Sequence, residues 1–160
     1  MTLTSRVHKQ LTSNFEVDRI YCSYETHCYV PLNLSRPFTI KTNLTIGELD
    51  DDDMQEVGLI FNYKDYGNYD AFVFNENNIQ YIHIKEERRA GHIYQGMKWR
   101  KTRRAKQEWK LEYDGNYLIF YVDDLPVFKV KHIELKYDGF GFYVAGKQKL
   151  VIDDVEFTQQ

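Results

Sequence analysis

The sequence predicts an all-β fold, a two-sheet antiparallel β-sandwich. Three observations carry that reading. Apolar and polar residues alternate in run after run, turn-forming residues separate the runs, and 13 Tyr and 10 Phe supply most of an aromatic share of 16%. Tyr and Phe favour pleated, half-buried surfaces. A chain of 160 residues that is 42% hydrophobic is long enough for one domain with a real core.

The elements follow in order. Residues 1–14 carry Ser, Thr, Asn and Gln without a clear period. They are expected to form a loose lead-in or a short helix, with the sandwich spanning 15–160. Phe38, Ile40, Leu44 and Ile46 share one parity against Thr39, Lys41, Asn43 and Thr45, the period of two that marks a half-buried strand. Val57, Leu59, Phe61 and Tyr63 repeat it, as do Trp109, Leu111 and Tyr113. Leu118, Phe120 and Val122 follow, then Phe140, Phe142 and Val144, then Val151, Val155 and Phe157. Asp114-Gly115-Asn116 and Tyr66-Gly67-Asn68 read as turns between strands. Pro126, after Asp123-Asp124-Leu125, restricts the next strand to an edge or its own first residues. No sustained helical period interrupts the series, which argues for a sandwich or barrel.

Composition bounds the function. A net charge of −3 gives no global electrostatic case for nucleic acid. No apolar run reaches the ~18 residues of a membrane-spanning helix. Met1 to Arg6 lack the apolar stretch of a signal peptide. The chain therefore reads as cytoplasmic as it stands, and as extracellular or periplasmic if a leader has been removed. On one continuous strand Cys22 and Cys28 would stand roughly 20 Å apart, too far to bridge unless the chain bends between them. They are read as free, buried thiols, and their spacing is not that of a metal pair.

The charge is polarised along the chain. Glu48 to Glu56 hold Asp50, Asp51, Asp52 and Asp53, a run that reads as a solvated loop. From Lys85 to Lys110, ten Lys and Arg face three Glu, a local +7, while the remainder holds eleven basic against twenty-one acidic residues, or −10. Tyr94, Trp99 and Trp109 lie near Arg88, Arg89, Arg100, Arg103 and Arg104. Interleaved Arg and aromatic side chains hold phosphate, sulfated glycans or stacked bases. The plainer reading is a solvated hairpin loop whose cations keep an edge soluble.

Several stretches are more specific. Gly58-Leu59-Ile60-Phe61-Asn62-Tyr63-Lys64-Asp65 precedes Asn68-Tyr69-Asp70-Ala71-Phe72-Val73-Phe74. Later come Trp109 to Asn116, Leu118 to Asp123, Gly139-Phe140-Gly141-Phe142-Tyr143-Val144 and Val151-Ile152-Asp153-Asp154-Val155-Glu156-Phe157. This order resembles the concanavalin A-like lectin and glucanase superfamily, across roughly residues 35–158. It looks closest to the laminin-G-like jelly rolls and to bacterial domains similar to 3-keto-disaccharide hydrolases.

The resemblance implies a jelly roll in which Gly139 or Gly141 lets the chain turn tightly before the penultimate strand. It also implies a non-catalytic module that binds carbohydrate on a concave sheet face or at loop edges. The candidate ligand-binding residues are Tyr63, Asn68, Tyr69, Trp99 and Tyr143, with Arg100 and Arg103 for an anionic glycan. Many such domains carry a structural Ca²⁺. Asp153 shares the parity of Val151, Val155 and Phe157 and so is expected to point inward, where a carboxylate must be paired, hydrogen-bonded or metal-bound. The competing reading is an Asp that accepts backbone N–H bonds.

Enzymes of the superfamily place Glu-x-Asp-x-x-Glu on one strand. The nearest match, Glu48-Leu49-Asp50 with Asp53, falls in the acidic loop and ends in Asp. No G-x-S-x-G elbow occurs. His83 reads as a strand residue, and His8, His27, His92 and His132 lack metal spacing. Besides the binding module, two readings remain open: a protein-interaction domain that associates through its acidic and basic loops, and a glycoside-processing enzyme.

Overall fold

The alternating runs become antiparallel strands in the computed structural model, which describes residues 2–21, 33–46, 56–74, 79–95, 106–131 and 134–159. The described strands are β1 (Thr2–Tyr21), β2 (Phe38–Ile46), β3 (Glu56–Asp65), β4 (Asn68–Phe74), β5 (Ile79–Lys85), β6 (Arg88–Gln95), β7 (Lys106–Tyr113), β8 (Tyr117–Val122), β9 (Leu125–Lys131) and β10 (Gly139–Thr158). No helix among the described residues is long and apolar enough to cross a membrane.

The long strand β10 organises the architecture. Its first part, Gly139 to Ala145, pairs with β3, and its second part, Leu150 to Thr158, pairs with β2. From β3 the hydrogen bonding continues to β4, β5 and β6; from β2 it continues to β7, β8 and β9. Strand β1 accompanies β10 along its length, from Thr2 opposite Thr158 to Tyr21 opposite Phe142. Two antiparallel sheets thus share one pair of long strands. Strand β9 is an edge, which suits Pro126 as its second residue.

The sheets pack through aromatic rings. Phe72 of β4 meets Phe120 of β8 at 5.1 Å and Phe128 of β9 at 5.3 Å, and Phe74 meets Trp109 of β7 at 5.2 Å between ring centroids. Such contacts add to the stabilisation that buried area already gives. Trp109 is fully buried, and its indole N–H donates to Gln107 Oε1 at 3.0 Å. It is a core residue and not part of a basic aromatic surface. On the other face of the sheet formed by β3, β4, β5 and the first part of β10, a smaller apolar cluster joins Ile60, Tyr69, Ala71, Val73, Ile82, Ile84 and Tyr143.

Three expectations are corrected. Residues 2–14 are strand, because β10 supplies a partner register that covers them from Thr2 to Asn14; pairing stands in for the missing period. The parity assigned to β10 holds at Val155 and Phe157 but not before them. Leu150 and Ile152 are buried instead, and the register shifts between Ile152 and Asp154. A bulge of this kind turns the preceding side chains over, so Val151 and Asp153 are only half-buried. Gly139 is also not a turn glycine. A Cβ there would stand 2.2 Å from the Tyr63 carbonyl oxygen, whereas the left-handed glycine among the described residues is Gly115, at φ 102°.

Candidate functional site

Where the aromatic rows end, the inward-facing positions turn polar. Asp70 continues the parity of Phe72 and Phe74 on β4, and His83 continues that of Ile79 and Tyr81 on β5. The register sets Asp70 directly opposite His83. Asp70 is 1% exposed, whereas the His83 side chain is 45% exposed.

Asp70 gathers three donors. Asn62 Nδ2 donates to Asp70 Oδ2 at 2.6 Å. His83 Nδ1 bonds Asp70 Oδ1, and since a carboxylate only accepts, Nδ1 carries the proton. The Tyr81 hydroxyl completes the set; burial and the adjacent Asp70 carboxylate push that phenol well above its usual range, so it stays protonated. A buried carboxylate with three donors is satisfied. It also fixes the imidazole, leaving Nε2 as the ring nitrogen free to meet a ligand.

These groups line a groove of about 670 Å³. One wall comes from β3, β4 and β5 through Asn62, Lys64, Asp70, Tyr81 and His83. The other comes from Lys131 of β9 and from Glu134, Lys136 and Tyr137 in the segment before β10. Asn62 ties the walls together. Its Oδ1 accepts the backbone N–H of Lys136 at 2.8 Å and of Tyr137 at 2.9 Å, while its Nδ2 also reaches the Glu134 carbonyl at 3.2 Å. Asn62 itself sits at φ 50°, a conformation that Asn tolerates better than most residues. The Tyr137 backbone is anchored in this way, and the residue is 38% exposed.

The residues expected from the sequence are divided by this geometry. Asn68 and Tyr69 line the groove. The Asn68 amide is committed to the β3–β4 turn, donating to Asp65 Oδ1 at 2.8 Å and accepting from the Glu86 N–H at 3.2 Å. Tyr69 is 3% exposed and lies 6.3 Å from the half-buried Tyr63 ring. Tyr143 is 1% exposed, so its ring offers no open face. Trp99, Arg100 and Arg103 lie outside the described residues, as do Cys22, Cys28, the acidic run with Glu48, Asp50 and Asp53, and most of the basic excursion. Among the described residues no three His, Cys, Asp or Glu side chains converge; Asp153 is half-buried on β10.

Reading the sequence alone passed over Asn62, Asp70, Tyr81, His83 and Tyr137. One signal was available: a carboxylate at Asp70 on the parity of Phe72 and Phe74.

No protein-family model and no curated protein matches the chain. Solved structures do. Sheep galectin-11 superposes with a TM-score of 0.59 at 10% identity, over 94% of this chain and 97% of that one. Galectin LEC-6 of Caenorhabditis elegans gives 0.58 at 6% identity, over 94% and 96%. The carbohydrate-binding module CBM66 of Bacillus subtilis gives 0.54 at 16% identity, over 74% of each chain. At such identities the likeness is one of fold, and that fold is the concanavalin A-like jelly-roll β-sandwich.

Proposed function

We propose that this chain is a carbohydrate-binding module whose sugar site is the groove between the sheets at Asp70, His83 and Tyr137. The observation that carries the reading is the His83 ring, fixed by a buried carboxylate at the rim of an open groove that also holds an exposed tyrosine. Sugar recognition needs a few fixed polar atoms for hydroxyls and an aromatic surface for the apolar face of the ring. With Nδ1 committed to Asp70, His83 presents Nε2 to a sugar hydroxyl, and Tyr137 offers the ring. The fold shared with a carbohydrate-binding module and two galectins supports this reading.

A glycan array followed by ¹⁵N-NMR titration tests it. Binding should shift the amides of Asn62, His83 and Tyr137, and Tyr137→Ala or His83→Ala should weaken it about tenfold, about 1.4 kcal/mol. Failure of every glycan to bind at high protein concentration, or shifts confined to the outer face around Tyr143, would refute it.

A further inference from the structure

The groove differs in charge from the chain around it. Lys64, Lys85, Lys131 and Lys136 line it against Glu86, Glu134 and Asp70, within a chain of net charge −3. Asp70 is buried and turned toward its own three donors. Glu134 lies 3.7 Å from Lys136 Nζ, both side chains being well exposed, and such a pair gives way readily to a ligand. Among the described residues Lys64, Lys85 and Lys131 form no close ion pair; Asp65 lies near enough to Lys64 to feel its charge, and Glu86 is the other carboxylate at the groove beside them. Lys64 Nζ stands 5.8 Å from the centroid of the Tyr137 ring, and Lys136 is the residue before it. The exposed ring thus has the Lys64 ammonium beside it, Lys136 lines the same groove, and Asn62 holds that stretch of backbone in place.

An aromatic ring in a groove lined by ammonium groups fits a sugar that carries a negative charge. We propose, resting on the carbohydrate-binding reading above, that the groove takes an acidic saccharide. Its ring stacks on Tyr137, and its anionic substituent, a carboxylate or a sulfate ester, lies between Lys64 and Lys136. The two substituents share the chemistry that recognises them, an oxyanion meeting ammonium donors.

Isothermal titration with three matched β-linked trimers tests this: glucose, 6-sulfated glucose and glucuronic acid. At low salt at least one charged trimer should bind about tenfold or more tighter than the neutral one, and the better of the two identifies the substituent. The advantage should collapse at high ionic strength. It should also disappear in Lys64→Glu/Lys136→Glu, with Lys64→Gln as a milder variant that leaves the fold's other contacts in place; ¹⁵N spectra establish that each variant is folded. Equal binding of all three trimers overturns the acidic-saccharide proposal and leaves carbohydrate binding standing. So does a charged-trimer preference that survives in both lysine variants. Failure of all three trimers, together with a blank glycan array, overturns both readings.

Discussion

Asp70 takes the inward parity of Phe72 and Phe74, yet it is a carboxylate. Its desolvation is tolerable because Asn62, Tyr81 and His83 all donate to it. Asp70→Ala leaves those donors without their acceptor at a position that is itself buried. A stability loss of about 2–3 kcal/mol is expected in urea denaturation, with loss of the fixed His83 ring geometry in NMR. A loss below about 0.5 kcal/mol would mean that water replaces the carboxylate at no cost and that the cluster is not buried. Two other aspartates act at turns instead. The Asn68 amide and the Gly67 N–H hold the Asp65 carboxyl below its ordinary range, and the N–H groups of Tyr117 and Asn116 do the same for Asp114. Each group is more acidic folded than unfolded. Its contribution is therefore complete above the ordinary carboxylate value of about 4 and is lost as the pH falls through the lowered value. Amide exchange at Gly67, Asn116 and Tyr117 should speed up below pH ~4 before the core amides respond. Protection that stays flat to pH ~2 would remove these carboxylates from the account of the turns.

Most strands can be read from their alternation, and the turns at Gly67 and Gly115 from their glycines. Two elements resist such reading for opposite reasons. Strand β1 has no period but acquires a partner in β10. The β5–β6 turn has no turn signature, yet Glu86 and Glu87 adopt φ 51° and 66°, a costly choice for non-glycine residues. Long-range bonds hold it: the Glu87 N–H donates to the Gly67 carbonyl at 2.9 Å and the Glu86 N–H to Asn68 Oδ1 at 3.2 Å. Gly58 shows how a strand can need a glycine without a turn. It pairs with Val73 and Tyr143, and a Cβ there would stand 2.2 Å from the Phe72 carbonyl oxygen. That neighbour is backbone of a paired strand and cannot swing aside. Gly58→Ala should cost about 2–3 kcal/mol, the upper part of the overpacking range. Gly67→Ala should cost markedly less, since its nearest neighbour is the flexible Glu87 side chain at 3.0 Å. Equal midpoints for the two variants in thermal melts would contradict this ordering.

At the scale of the whole molecule, the groove exists only because the two sheets meet. Asp70 and His83 stand thirteen residues apart in sequence and touch because of the β4–β5 register, which local patterning hints at through parity. Lys131, Lys136 and Tyr137 arrive from beyond the opposite sheet's edge, and no local pattern links them to Asn62. The sandwich was legible in the chain because alternation and turns are local; the site was not, because it depends on how the sheets face one another. Phe72 is the residue that most directly ties them. Its ring lies 5.1–5.7 Å from those of Phe61, Tyr81, Phe120 and Phe128. Phe72→Ala should therefore cost about 3–5 kcal/mol. Tyr81, which packs on Phe72 and donates to Asp70, should lose its fixed position together with the core, so His83 and Tyr137 amides should broaden in the variant while still folded. The shared β1 and β10 make the sheets one cooperative unit. Tryptophan fluorescence, with Trp109 packed against Phe74 and Phe120, and far-ultraviolet circular dichroism should report one coincident transition in both proteins. Separate transitions by the two probes would instead mean that each sheet holds together alone, and that the groove between them is a junction of independent parts.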